Sequence, residues 1–177
     1  SCMNYMVYMR GNRGDYDHWR QLGNEGWSYD EVLPYFKKSE TNERIGDSYH
    51  GTSGPLMVSD QKTRSPLTLL YFEACAAAGM TRNDDVNGAS QAGYGWFQAT
   101  IGKSGRCSTA VAFLHPNRGR KNLEVVTHAH ATRLIVEKGR VTGVEYLRHG
   151  KLETAHANAD IVLSGGAINS PQLLLLS

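Results

Sequence analysis

The sequence predicts a mixed fold, α/β or α+β, and three observations carry that prediction. The first is the run at residues 159–177, ADIVLSGGAINSPQLLLLS. There Ile161, Val162 and Leu163 make a short apolar β-type run, Gly165-Gly166 permits a tight turn, and Ser170-Pro171 supplies an N-cap followed by proline at the first helical position. The second is a pair of helix starts, Ser28-x-x-Glu31 and Ser65-Pro66, each ahead of an apolar run. The third is the stretch 122–163, which breaks into short β-type runs separated by turn dipeptides. With 177 residues, 40% of them hydrophobic, the chain can bury a core as one domain or as parts of two.

Taken in order, residues 1–10 alternate apolar with small or polar types, without the spacing of an amphipathic helix, and both a strand and an extended loop stay open. Residues 15–22 form a short helix with Tyr16 and Trp19 on one face, ended by Gly23-Asn24. The capping-box spacing of Ser28 and Glu31 starts a second helix, which Pro34 kinks. Residues 41–64 are polar and turn-rich, with one strand-like patch at Leu56-Met57-Val58. Ser65-Pro66 opens a helix that Gly79 stops, and its apolar content marks it as a core helix. An aromatic β-type run follows at 93–98, with Tyr94, Trp96 and Phe97, suited to filling a core or walling an apolar pocket. Ser108 caps a helix over 109–114, terminated by Pro116. Residues 123–127, 132–136, 141–147 and 151–157 then read as a β-meander turned at Lys138-Gly139 and His149-Gly150. The final helix covers 172–177. So short a helix does not stand alone, which leads us to expect that the sequence belongs to something longer. The first residue, a serine rather than methionine, points the same way.

Charge and cysteine content narrow the function classes. A net charge of +2 with interspersed acids and bases argues against nucleic acid or an anionic membrane as partner, and the one basic cluster, Arg118-Gly119-Arg120-Lys121, reads as a solvated loop. Cys2, Cys75 and Cys107 are odd in number and lack C-x-x-C spacing, against a disulfide framework or a structural zinc. Reduced thiols imply an intracellular, cytoplasmic setting, with peripheral membrane attachment left open. No apolar run reaches membrane-spanning length, and residues 1–11 carry no signal-like block. His128 and His130 share one face of a strand, but no carboxylate or cysteine joins them at ligand spacing, and no metal is expected. G-x-S-x-G, Walker A and a complete G-x-G-x-x-G are all absent.

Two longer motifs carry a family resemblance. Ser1-Cys2-Met3-Asn4-Tyr5-Met6-Val7-Tyr8-Met9-Arg10-Gly11, with Asp15-x-Asp17-x-Trp19 and Gly26-Trp27-Ser28-Tyr29 after it, resembles the first signature region of the glucose–methanol–choline (GMC) oxidoreductases. Gly166-Ala167-x-x-Ser170-Pro171-Gln172-Leu173-Leu174-x-x-Ser177 is similar to their second signature, short of its expected Gly-x-Gly. Between them, Tyr49-His50-Gly51, Asp85-x-Asn87-Gly88 and Arg106-x-Ser108-Thr109-Ala110 fall in the order shown by the choline-dehydrogenase-like branch. The resemblance covers the whole chain.

What the resemblance implies is an FAD enzyme that oxidises a small-molecule alcohol by passing hydride to flavin N5, with a quinone, dye or oxygen as electron acceptor. Asn4, Tyr5, Met6 and Val7 then lie along the isoalloxazine, where backbone N–H groups stabilise negative charge on the reduced ring. Ala131, where valine is common, matches the position whose backbone binds the adenine edge, and Gly165, Gly166 and Ser170 shape the turn beside the cofactor. The implied architecture is part of a Rossmann-like FAD-binding domain with a β-meander, plus the first piece of a substrate-binding domain. Residues 1–54 wrap the flavin, 55–101 belong to the substrate-binding domain, and 102–177 return to the FAD-binding domain. The dinucleotide fingerprint that holds the pyrophosphate at a helix N-terminus and the segment with the catalytic histidine have no counterpart in these residues. No catalytic residue is therefore named, and these 177 residues alone are expected to be inactive. The rival reading is a non-catalytic relic or binding module that keeps the scaffold.

Overall fold

The computed structural model describes residues 5–103 and 105–177. Two units are distinguished, Ser1–Arg120 and Lys121–Ser177, and each is described by itself.

In the first unit, helix α1 (Arg13–Gln21) starts two residues before the expected position because Asn12 caps it, its side chain accepting from the Gly14 N–H at 2.9 Å. Tyr16 and Trp19 do share a face, their rings 5.3 Å apart and edge to face, and Trp27 packs on Trp19 at 5.9 Å. Helix α2 (Tyr29–Ser39) begins at the expected box, where the Glu31 carboxylate accepts from the Ser28 N–H at 3.0 Å and from its hydroxyl at 2.6 Å. Pro34 removes one internal N–H donor, yet the helix continues to Ser39.

Strand β1 (Glu40–Asn42) pairs in parallel with β2 (Leu56–Val58), Glu40 opposite Leu56. The strand-like patch was legible in the sequence; its polar partner was not. Helix α3 (Pro66–Ala77) runs between the expected Ser65 cap and Gly79, which stands at φ +77°. Only one of its faces is a core face. Phe72 and Cys75 are buried, whereas Leu67, Leu70 and Tyr71 are exposed, so the expectation of a core helix holds for half of it. The other buried apolar residues of this unit are Tyr29, Val58, Val86, Ala99, Cys107 and Ala112.

The aromatic run at 93–98 is extended but is no strand. Its backbone bonds are divided among three neighbours: Tyr94 exchanges with Thr81 and Asn83, Gln98 accepts from Tyr8, and Ala99 pairs with Ser59. Gly93, at φ +124°, and Gly95, where a Cβ would lie 1.9 Å from the Asn83 carbonyl oxygen, press this run onto the 81–84 loop and prevent a continuous ladder. Its aromatics still fill a core, with Tyr94 and Trp96 on Phe72 at 5.3 and 5.1 Å. Beyond it lie the short pair β3 (Ile101–Gly102) and β4 (Gly105–Arg106), then a π-helical segment Ala110–Leu114 and a 3₁₀ turn His115–Asn117. Pro116 thus lies inside the terminating turn.

In the second unit β5 (Ala129–Glu137), β6 (Arg140–Arg148) and β7 (Lys151–His156) form the expected antiparallel meander. Both hairpins turn on two residues at positive φ, Lys138 (50°) with Gly139 (80°) and His149 (50°) with Gly150 (78°), the type I′ geometry that matches strand twist. Residues 123–127 and 161–163 form no strand, because no strand among the described residues lies beside either. Helix α4 (Gly166–Leu175) starts at the glycine turn and not at Ser170. Gly166, at φ +90°, redirects the chain, and the Ser170 hydroxyl accepts from the Gly165 N–H at 2.9 Å, which ties the turn to the first helical residues.

Candidate cofactor site

Asn4 lies outside the described residues. Residues 5–10 lie outside any helix or multi-residue strand, and burial alternates along them: Tyr5 is 92% exposed, Val7 46% and Met9 50%, while Met6 and Tyr8 are half-buried and Arg10 is buried. One edge of the segment is pinned by the Tyr8 N–H to the Gln98 carbonyl and by the Thr100 N–H to the Met6 carbonyl, both at 2.8 Å. Those bonds bracket Val7 opposite Ala99 in an antiparallel bridge of the type that leaves the central N–H pointing away. Among the described residues, the N–H groups of Tyr5, Met6 and Val7 donate to no backbone carbonyl. Met6 holds φ +68°, a left-handed conformation that a non-glycine residue keeps only when its surroundings impose it.

Beyond Tyr8 the segment runs into a buried polar cluster that sequence reasoning did not assemble. The Arg10 guanidinium pairs with the Glu40 carboxylate and donates to the Tyr49 carbonyl at 2.8 Å. Glu40 also accepts from Asn42 Nδ2 at 2.9 Å and from His50 Nδ1 at 3.0 Å. On its other side His50 Nε2 meets both Asp85 carboxylate oxygens, at 3.1 and 3.2 Å. With a carboxylate at each nitrogen, both must donate, so His50 is held as the imidazolium. Burial by itself would lower its pKa, but the Glu40 hydrogen bond and the charges of Asp85 and Glu40 outweigh that and raise it. Burial would likewise raise Glu40, and the hydrogen bonds from His50 and Asn42 with the Arg10 charge instead hold its carboxyl below the ordinary range. Asn42 and Gln98 exchange two side-chain bonds, of 2.7 and 3.1 Å, which extends the cluster to the strip that pins Tyr8.

Asp47, His50 and Asp85 offer ligand atoms within 4.8 Å of one another. His50 Nε2 is engaged by Asp85, however, and Asp47 Oδ1 accepts from the Tyr49 and His50 N–H groups, so the set is internally bonded. The sequence does hold a signal for this cluster: Arg10, Tyr49-His50-Gly51 and Asp85-x-Asn87-Gly88 all belong to the motifs that carry the family resemblance, which by themselves give these residues no role.

In the second unit Ala131 is exposed and sits beside a β-bulge, where Ala131 opposes Tyr146, Arg133 opposes Glu145, and Thr132 is the extra residue. It lines a cleft of about 590 Å³ together with Thr132, Leu163, Ser164, Gly165 and Ser170. A Cβ on Gly165 would come within 3.1 Å of Asn169 Cβ and 3.2 Å of Ser170 Oγ, tighter than ordinary van der Waals contact, so the turn is closely packed at this glycine. Of the three turn residues named from the sequence, Gly165 and Ser170 line the cleft with Ala131, and Gly166 is not among its lining residues.

Comparison with known proteins supplies the family. The GMC oxidoreductase family pattern matches residues 1–177. The chain belongs to that family. The GMC chain is 44% identical over all of its length to 30% of mitochondrial choline dehydrogenase from Homo sapiens, and 41% identical to 32% of oxygen-dependent choline dehydrogenase from Sinorhizobium fredii. It thus spans about a third of the relatives it matches. Among solved structures it resembles pyridoxine 4-oxidase from Mesorbium loti (TM-score 0.87, 34% identity, 99% of this chain and 35% of that one). It also resembles an FAD-dependent oxidoreductase from Chaetomium thermophilum (TM-score 0.87, 27% identity, 98% of this chain and 33% of that one). The mixed fold expected from the sequence agrees with these neighbours, and the family agrees with the expected FAD. The GMC chain has features that fit such a group: exposed Tyr5 and Val7 in a segment whose N–H groups at residues 5–7 find no backbone acceptor among the described residues, and, in the other unit, an open cleft at Ala131.

Proposed function

We infer that the GMC chain is part of an FAD-dependent enzyme that oxidises an alcohol to an aldehyde or ketone, of the choline-dehydrogenase-like type. The observation that carries this reading is the state of residues 5–7, an apolar stripe turned outward with backbone donors unspent and the flanks pinned. When bound, FAD supplies the hydride acceptor at N5. The part of this chain is to bind and orient. The side chains of Tyr5 and Val7 give an apolar bed for a flat ring, and the N–H groups of residues 5–7 donate to negative charge gathering at the ring edge, fixed in place before the reaction. Asn4 completes that segment. The backbone at Ala131 binds the adenine edge, and the cleft walled by Gly165 and Ser170 leaves it room.

On this reading residues 1–54 and 102–177 belong to the FAD-binding domain and 55–101 to the substrate-binding domain. No residue here is assigned as proton acceptor. A cytoplasmic location rests on cysteines that stay reduced; Cys75 and Cys107 are free thiols, and no helix among the described residues is long and apolar enough to cross a membrane. The test is anaerobic addition of choline, aliphatic, aryl and polyol alcohols to the flavin-loaded protein that carries this sequence. Bleaching of the oxidised flavin by at least one is expected, and no bleaching by any would overturn the reading.

A further inference from the structure

We propose that Asn87 is a positioning residue for the flavin-facing segment, acting through the backbone of Tyr8 and Arg10. The inference rests on the function proposed above. The Asn87 side chain, 5% exposed, donates from Nδ2 to the Tyr8 carbonyl at 2.9 Å and accepts at Oδ1 from the Arg10 N–H at 2.8 Å. A carbonyl and an N–H two residues apart are what a parallel neighbouring strand would satisfy. One amide side chain takes the place of that strand. Gln98 and Thr100 pin the same edge one step earlier, through the Tyr8 N–H and the Met6 carbonyl, so Asn87 continues that row of bonds and holds the segment immediately after the residues that face the flavin.

Asn87 is itself held by a closed circuit. Its N–H donates to Asp85 Oδ1 at 3.1 Å, Asp85 accepts from His50 Nε2, Glu40 accepts from His50 Nδ1, and Glu40 pairs with the Arg10 guanidinium. The circuit begins at the Arg10 backbone and ends at the Arg10 side chain. Three motifs distant in sequence, Arg10-Gly11, Tyr49-His50-Gly51 and Asp85-x-Asn87-Gly88, thereby become one device. Its reach extends toward Met6, whose left-handed backbone lies two residues before the Tyr8 carbonyl that Asn87 holds. Loosening the clamp lets residues 5–7 drift from the donors' working position, and a misplacement of about 1 Å costs a reaction on the order of a hundredfold.

The experiment compares wild type with Asn87→Ala in the flavin-loaded protein, with Asn87→Asp read in its place if the alanine variant does not fold, since aspartate keeps the acceptor for the Arg10 N–H. Two readouts are taken: amide hydrogen exchange across residues 5–10, and kcat and KM per bound flavin. Faster exchange across residues 5–10, unchanged exchange in α1 and α2, and a kcat lower by about tenfold to a hundredfold at unchanged KM and flavin content support the proposal. Faster exchange with unchanged kcat per flavin means that Asn87 only stabilises the fold, and overturns it, as does no change in either readout. A wild type that holds no flavin, or whose flavin no alcohol reduces, defeats the underlying functional reading first, and this inference falls with it.

Discussion

Replacing Glu40 by glutamine tests the buried cluster most severely. Glu40 is fully buried and its carboxylate accepts from Arg10, His50 Nδ1, Asn42 Nδ2 and the Gly51 N–H. Glutamine fills the same volume but leaves two buried cations, Arg10 and His50, facing a neutral amide, one of whose two terminal atoms can no longer accept. Removing one partner of a buried ion pair costs about 3–5 kcal/mol. At a urea m-value of about 2 kcal/mol/M, that lowers the unfolding midpoint by roughly 1.5–2.5 M. The control is Asp30→Asn, which breaks a 2.9 Å pair with Arg13 between side chains that are 49% (Arg13) and 76% (Asp30) exposed. Solvent-screened pairs of that kind contribute less than about 1 kcal/mol, so its midpoint moves by less than roughly 0.5 M. The assay is urea titration of both variants beside wild type. Equal effects from the two substitutions would refute the argument that the Glu40 cluster holds this unit together.

Further predictions concern the same region. Gly51→Ala destabilises by at least about 3 kcal/mol, because its Cβ would lie 1.9 Å from the Lys37 carbonyl oxygen, whereas Gly119→Ala, with nothing within 4 Å, changes stability by less than about 0.5 kcal/mol; thermal melts of both decide it. Stability also has a computable pH profile. The raised His50 pKa gives a contribution complete below its ordinary 6.5 and lost as pH rises through the raised value. The lowered Glu40 pKa gives one complete above its ordinary 4.5 and lost as pH falls through the depressed value. Both are full between about 4.5 and 6.5, and His50→Gln flattens the alkaline limb in a series of urea midpoints against pH. Finally, the purified 177-residue chain neither retains FAD tightly nor oxidises alcohol; flavin recovered with it in stoichiometric amount would count against the division of labour proposed here.

What the sequence made legible was local. The Ser28–Glu31 box and the Lys138-Gly139 and His149-Gly150 turns are decided within four residues, and each stands where its spacing put it. Strands without a local turn were less legible, since a strand is defined by its neighbour. Residues 123–127 and 161–163 have strand composition and no partner strand here, while Glu40-Thr41-Asn42 lacks that composition and pairs with Leu56-Met57-Val58. At 165–171 two local signals competed, and the helix starts at the glycine turn, with the Ser170 hydroxyl accepting from the Gly165 N–H instead of capping a start of its own. The candidate site divided in the same way. Its stretch at residues 5–7 came from motif likeness, but the buried cluster joins Arg10, Glu40, His50 and Asp85 across separations that no spacing rule spans.

The most direct measurement of the central claim follows flavin reduction in the loaded protein under anaerobic conditions, with one reactive alcohol supplied in ordinary form and deuterated at the carbinol carbon. Transfer of that hydrogen as hydride predicts that the oxidised flavin absorbance is lost in a single turnover and that the deuterated alcohol bleaches it more slowly. Flavin that no alcohol reduces, or that both forms reduce at the same rate when chemistry limits the step, would contradict the account.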